Sequence, residues 1–226
     1  MIKRVRFGGR ALPYWLLLPQ LFISLVFFFG PAGYALLQSF LLSDPFGQHS
    51  KFVWLANFAA LFRSPEYHTS ILLTLLFSAC AMALALALGL AFAVAANRIV
   101  RGAGLYKTFL ILPYAAAPPL AGVLWLFLFH PSYGVVAYWL NGLGIAWNPL
   151  LSGDQAMLLV ILAAAWKQIS YNFVFFLAGL QGIPKSLLEA AAVDGAGPAR
   201  RFWAIVFPLL SPIGFFLVVV NLVYAF

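Results

Sequence analysis

Long apolar runs separated by short polar breaks organise this chain. Runs long enough to cross a hydrocarbon core as a helix, about 20 residues, occupy roughly 12–42, 69–96, 108–129 and 156–180, and a fifth runs from near Leu209 to Phe226. The breaks between them cover 43–68, 97–107, 130–155 and 181–208. This pattern predicts an all-α membrane protein, a polytopic helical bundle with five spans and a single transmembrane domain over residues 1–226.

Two runs say more than their length. From Cys80 the second reads CAMALALALGLAFAVAAN, small and large residues in alternation. Period two alone would suit a strand of a membrane barrel, but such a strand turns after about 9–11 residues and this run is far longer. On a helix Ala81, Ala85, Gly89 and Ala93 fall four apart and form a low stripe that a neighbouring helix can approach closely. Cys80 beside it is expected to be a small packed residue. The third run contains Pro113, Pro118 and Pro119 in LPYAAAPPLAGV. Their missing donors predict either a simple kink or a break whose freed carbonyls face a watery path.

Composition agrees with a membrane chain: 65% of residues are hydrophobic and 8% charged, against roughly half and a quarter in soluble domains. The net charge of +8 forms no continuous basic face, so nucleic acid is excluded as a partner and lipid is the expected surround. The charge instead reports topology. Lys3, Arg4, Arg6 and Arg10, then Arg98, Arg101 and Lys107, then Lys185, Arg200 and Arg201 lie on one side, and only Lys51 and Arg63 on the other. This places the N-terminus and the even-numbered breaks in the cytoplasm. The basic start resembles a secretory signal, but the apolar run continues to about Leu42 without a small-residue cleavage site, so it is read as a retained span. In the third break Tyr133, Tyr138, Trp139 and Trp147 suit interfacial anchoring, or a docking surface for an external partner. A single cysteine permits no intrachain disulfide.

Catalytic signals are missing. The chain has neither an H-E-x-x-H metal pair nor a G-x-x-x-x-G-K-[ST] phosphate loop, which argues against an intramembrane enzyme and against ATP hydrolysis by this chain. Asp44, Glu66, Asp154, Glu189 and Asp194 fall in breaks, as do His49, His68 and His130 or at a span edge, which disfavours an ion-coupled secondary transporter with intramembrane relays. The charged exception is Lys167, about 16 Å into the fourth span at 1.5 Å per residue. Gln168, Tyr171 and Asn172 share its polar arc, and the four are candidate residues of a substrate path. The alternative is that Lys167 snorkels or pairs with a carbonyl or an acid of a partner.

The fourth break reads GIPKSLLEAAAVDGAGPARRFWAIVFPLLSP and predicts helix, turn and helix. Ser186 and Glu189 have capping-box spacing, Gly195 and Gly197 can supply a left-handed turn, and Pro198 suits a first helical turn.

This stretch resembles the cytoplasmic loop of the permease subunits of ATP-binding-cassette importers of the carbohydrate-uptake class. The family pattern is E-A-A, three residues, G, nine residues, I, one residue, L-P. Here it is met by Glu189, Ala190, Ala191, Gly195, Ile205 and Pro208, with Asp194 directly before the glycine and Phe207 in place of leucine. The likeness continues through LPYAAAPPLAGVLWLFLFHP, through WKQISYNFVFFLAGLQGIPKSLLEAAAVDGAGPARRF, and through the early DPFG and NF elements. Within the class it is to the branch that imports sn-glycerol 3-phosphate, with another sugar or sugar phosphate as the alternative solute. The resemblance implies a bacterial inner-membrane subunit that pairs with a second permease, two copies of a cytoplasmic ATPase and a periplasmic or external substrate-binding protein. It implies that the loop docks on the ATPase, that ATP and magnesium are bound by those partners and no cofactor by this chain, and that a sixth span follows a truncated C-terminus.

Overall fold

The computed structural model describes residues 12–44, 49–98 and 102–225. Lys3, Arg4, Arg6, Arg10 and Arg101, and most of the DPFG element, lie outside the described residues. Internal contacts divide the chain into two units, Met1–Ile71 and Leu72–Phe226.

In the first unit, α1 (Leu12–Ser24) continues through a wide π turn, Leu25–Phe29, into α2 (Gly30–Ser39). The turn has a local cause. Pro31 cannot donate, and its ring conflicts with the carbonyl four residues back; the N–H of Gly30 before it bonds to Leu25 O. The first break is structured, which the apolar pattern did not foresee. Strands β1 (Leu41–Ser43) and β2 (Ser50–Phe52) pair antiparallel, Leu42 opposite Lys51, and α3 (Ala56–Arg63) follows. Asn57 closes this corner by donating Nδ2 to the carbonyls of Ser39 and Leu41 at 2.9 and 3.0 Å. Ser64 then caps α4 (Pro65–Arg98): its Oγ accepts from Tyr67 N and donates to Glu66 Oε2, with Pro65 in the first helical position.

The second unit is built on α4 from Leu72 onward, α5 (Ala103–Ala115), α6 (Pro118–Phe129), α7 (Val135–Gly142), α8 (Gly153–Gly182), α9 (Lys185–Val193), α10 (Pro198–Arg201) and α11 (Phe207–Ala225). The small-residue stripe of α4 packs as expected: Ala81, Ala85, Gly89 and Ala93 are all buried, extended by Ser78 and Ala96. At Gly89 a Cβ would stand 2.7 Å from that of Asn172, so only glycine admits α8 at this distance. Gly179 of α8 likewise leaves room for Leu210 and Ile213 of α11. Phe173, Phe176, Leu177, Leu210 and Leu217 fill the core between these helices. Cys80 is exposed, a correction to the expectation that it packs, because the stripe turns the opposite side of α4 outward.

Among the described residues four helical stretches are long and apolar enough to cross a membrane: Leu12–Ser39, Pro65–Arg98, Gly153–Gly182 and Pro198–Ala225. Two boundaries differ from the sequence pattern. The last helix begins at Pro198, not near Leu209, because α10 runs through a second π turn, Phe202–Val206, into α11. Here Phe207 N–H bonds to Phe202 O immediately before Pro208, the same arrangement as at Gly30 and Pro31. The third run is not one straight span. Its halves meet at 101°, with Ala116 and Ala117 extended and Pro118 opening α6.

Candidate functional site

The corner between α8 and α11 holds the family-pattern residues. Glycine at 195 has φ +80°, and the turn closes α9 with the two bonds of a Schellman motif, Ala196 N to Ala191 O at 2.9 Å and Gly195 N to Ala192 O at 3.1 Å. Gly197 is extended and serves as N-cap to Pro198. The capping box is absent. Pro184 is the N-cap, so Ser186 falls inside the first turn, and no side chain caps this end. Position decides that: a serine can cap only from outside the helix, where its oxygen reaches the free N–H groups. Glu189, Ala190 and Asp194 are exposed, Ala191 and Ile205 half-buried and Pro208 exposed. Sequence reasoning missed the apolar members of this surface: Val193 is 88% exposed and Trp203 64%. Arg201 ties the two arms together, its Nη1 donating to Leu188 O at 3.4 Å.

The second candidate region is a cavity of about 640 Å³ at the break between α5 and α6. Its walls are the broken backbone from Tyr114 to Pro118, the α8 residues Val160, Ala163, Ala164, Lys167 and Gln168, and Tyr224 of α11. Lys167 stands midway along the 30-residue α8, and of the lining side chains it alone carries a formal charge. Among the described residues no acid pairs with it. Gln168 Nε2 is buried without a partner. Such a donor costs about 1–3 kcal/mol unless a guest accepts from it.

The predicted polar arc therefore divides. Lys167 and Gln168 reach the cavity; Tyr171 does not line it but packs with tilted rings against Tyr114, 6.1 Å away, and Phe175, 4.7 Å away. Asn172 does not reach it. It is fully buried and exchanges amide bonds with Asn221 of α11 at 2.8 and 3.3 Å, while Asn221 also donates to Leu217 O. The arc is wide enough for its far edge to face a different helix. Tyr114 and Tyr224 line the cavity without having been singled out in the sequence, their only signal being a polar tip in an apolar run.

In the third break Tyr133, Tyr138 and Trp139 are exposed, whereas Trp147 is buried and fastens the end of α6, its Nε1 donating to Phe129 O at 2.9 Å. Its indole found an intramolecular acceptor, which removes it from the proposed set of interfacial anchors.

The family of binding-protein-dependent transport system inner membrane components matches residues 85–226, a segment that contains both regions. The chain belongs to this family. The permease is 57% identical over 225 residues to the sn-glycerol-3-phosphate transport system permease protein UgpA of Brucella abortus biovar 1 (strain 9-941), covering 100% of this chain and 77% of that protein. It is 56% identical to the UgpA proteins of Agrobacterium fabrum and of Yersinia pestis bv. Antiqua (strain Antiqua), with 100% and 99% of this chain and 77% and 76% of theirs covered. Among solved structures, a bacterial ABC transporter involved in the import of the acidic polysaccharide alginate superposes with a TM-score of 0.79 at 24% identity, over 93% of this chain and 71% of that one. A bacterial alginate ABC transporter in complex with alginate-pentasaccharide-bound periplasmic protein gives 0.78 at 24% identity, over 93% of this chain and 70% of that one. The permease is thus a non-catalytic inner-membrane subunit of an ABC importer.

Proposed function

We propose that this permease forms half of the translocation pathway for sn-glycerol 3-phosphate. It works with a second permease, two copies of a cytoplasmic ATPase that bind ATP and magnesium, and an external substrate-binding protein. The observation that carries the reading is the cavity at the helix break, where an unpaired Lys167 and an unsatisfied Gln168 amide face one space. A lysine at the centre of a span costs about 2.5–3.5 kcal/mol on insertion scales, and a passing phosphate monoester would repay that cost with charge-assisted bonds. The likeness to the glycerol-phosphate permeases supports the choice of solute. The Schellman corner docks on the ATPase and passes its motion to α8 and α11. Ten basic residues against two in the breaks support a cytoplasmic N-terminus and a cytoplasmic coupling corner.

The test is uptake by the assembled importer below saturation. Lys167→Gln lowers it roughly 10- to 100-fold, the worth of one charge-assisted hydrogen bond, with assembly and basal ATPase activity kept. Lys167→Arg retains part of the uptake, because the charge survives in a different shape. Unchanged uptake in the Gln variant removes Lys167 from the path.

A further inference from the structure

A second polar cavity, of about 260 Å³, lies behind the coupling corner, where the end of α4 meets α9 and the start of α10. Asn97, Arg98 and Arg201 supply its polar lining. Val94, Leu180, Leu188, Phe202 and Val206 are among its apolar walls. No acidic side chain lines it, and among the described residues none forms an ion pair with either arginine. Arg201 is half-buried, its Nε is buried with no partner, and its Nη1 makes one long bond. Two arginines from separate helices, Arg98 exposed and Arg201 half-buried, thus line one space without neutralisation, and the buried Arg201 donor left unpaired carries a desolvation cost.

The geometry points to this cavity as a site for the phosphodiester of an anionic phospholipid. Guanidinium groups match phosphate oxygens with paired donors. The lining favours a lipid over a free anion: a cationic rim beside an apolar wall fits the junction between a headgroup and its acyl chains, and the cavity sits at the ends of spanning helices, where headgroups lie. A bound lipid would bridge α4 to the coupling corner and hold α9 and α10 at a fixed distance from the span. The site is separate from the Lys167 cavity and is independent of the solute that the permease carries.

The test is native mass spectrometry of the full-length permease in its assembled complex, delipidated and then titrated with phosphatidylglycerol, phosphatidylcholine or inorganic phosphate. The site predicts retention of phosphatidylglycerol over phosphatidylcholine, weakened about fivefold in R98Q and roughly thirtyfold in R98Q/R201Q, at one surface charge per arginine. The doubly substituted R98K/R201K complex, which keeps the charge, regains part of the retention and guards against a loss caused by misfolding. Equal retention in wild type and R98Q/R201Q overturns the site. Displacement of the lipid by millimolar inorganic phosphate, or binding of phosphate without lipid, overturns the lipid reading and makes the cavity a free-anion site.

Discussion

Gly89 and the two buried asparagines set how closely the helices of the second unit approach. Gly89→Val places branched methyls against Asn172 and the Phe173 backbone, whose nitrogen lies 3.2 Å from where even a Cβ would be. Overpacking of this kind costs about 1–3 kcal/mol, and the expected outcome is a lower melting temperature in detergent with less intact complex recovered. The asparagine pair gives a sharper measurement. Asn172→Leu leaves Asn221 Oδ1 without its donor, whereas Asn172→Leu/Asn221→Leu removes both partners. A double-mutant cycle on the melting free energy should return a coupling of about 0.6–1.7 kcal/mol, the span found for polar pairs in membrane bundles. A coupling of zero would mean that the two amides contribute independently. From the sequence Asn172 could be placed on a polar arc, but not opposite Asn221, because that contact needs the relative rotation of two helices 49 residues apart.

At the scale of elements, the coupling corner and the proline breaks show what spacing can and cannot reveal. Gly195 was legible, since a left-handed turn after an apolar helix calls for a residue without Cβ. A Cβ there would meet nothing within 4 Å, so Gly195→Val acts through backbone strain alone, about 1–3 kcal/mol. ATPase co-purification and uptake should both fall in the valine variant, and Gly195→Asn, which tolerates positive φ, should keep most of both. Ser186→Ala behaves differently. A working capping box would lose about 1 kcal/mol; with Pro184 as the N-cap, the corner should melt and couple unchanged. The proline signals were ambiguous in a related way. Pro118 opens a new helix after a 101° break, whereas Pro31 and Pro208 are absorbed by widened turns in helices that carry on. Extended Ala116 and Ala117 before Pro118 make the difference, and nothing in their residue types distinguishes them from helical alanines elsewhere.

At the scale of the whole molecule, the spans and the family were readable because lipid imposes a length and because the loop pattern is long. The cavities were not, since each needs residues from at least four helices. Orientation rests on charge counting, and it is open to labelling. With exposed Cys80 first replaced by serine, single cysteines at Ser50 and Lys185, both exposed positions, should react with an impermeant thiol reagent from opposite sides of intact cells. Ser50→Cys is expected to label from outside and Lys185→Cys only after permeabilisation; the reverse result would invert the topology.

The widened turn before Pro208 also sets the phase of everything after it. A π turn carries one residue more than the α-helical path it replaces, so the helix beyond it is rotated by about 100° relative to an uninterrupted one. Leu210, Leu217 and Asn221 face inward only at that setting. Deleting Ala204 would restore ordinary winding and leave every later side chain in the sequence, yet turn Asn221 away from Asn172 and Tyr224 away from the Lys167 cavity. The last span is therefore expected to tolerate many substitutions on its outer side, but not the loss of a single residue between Phe202 and Val206.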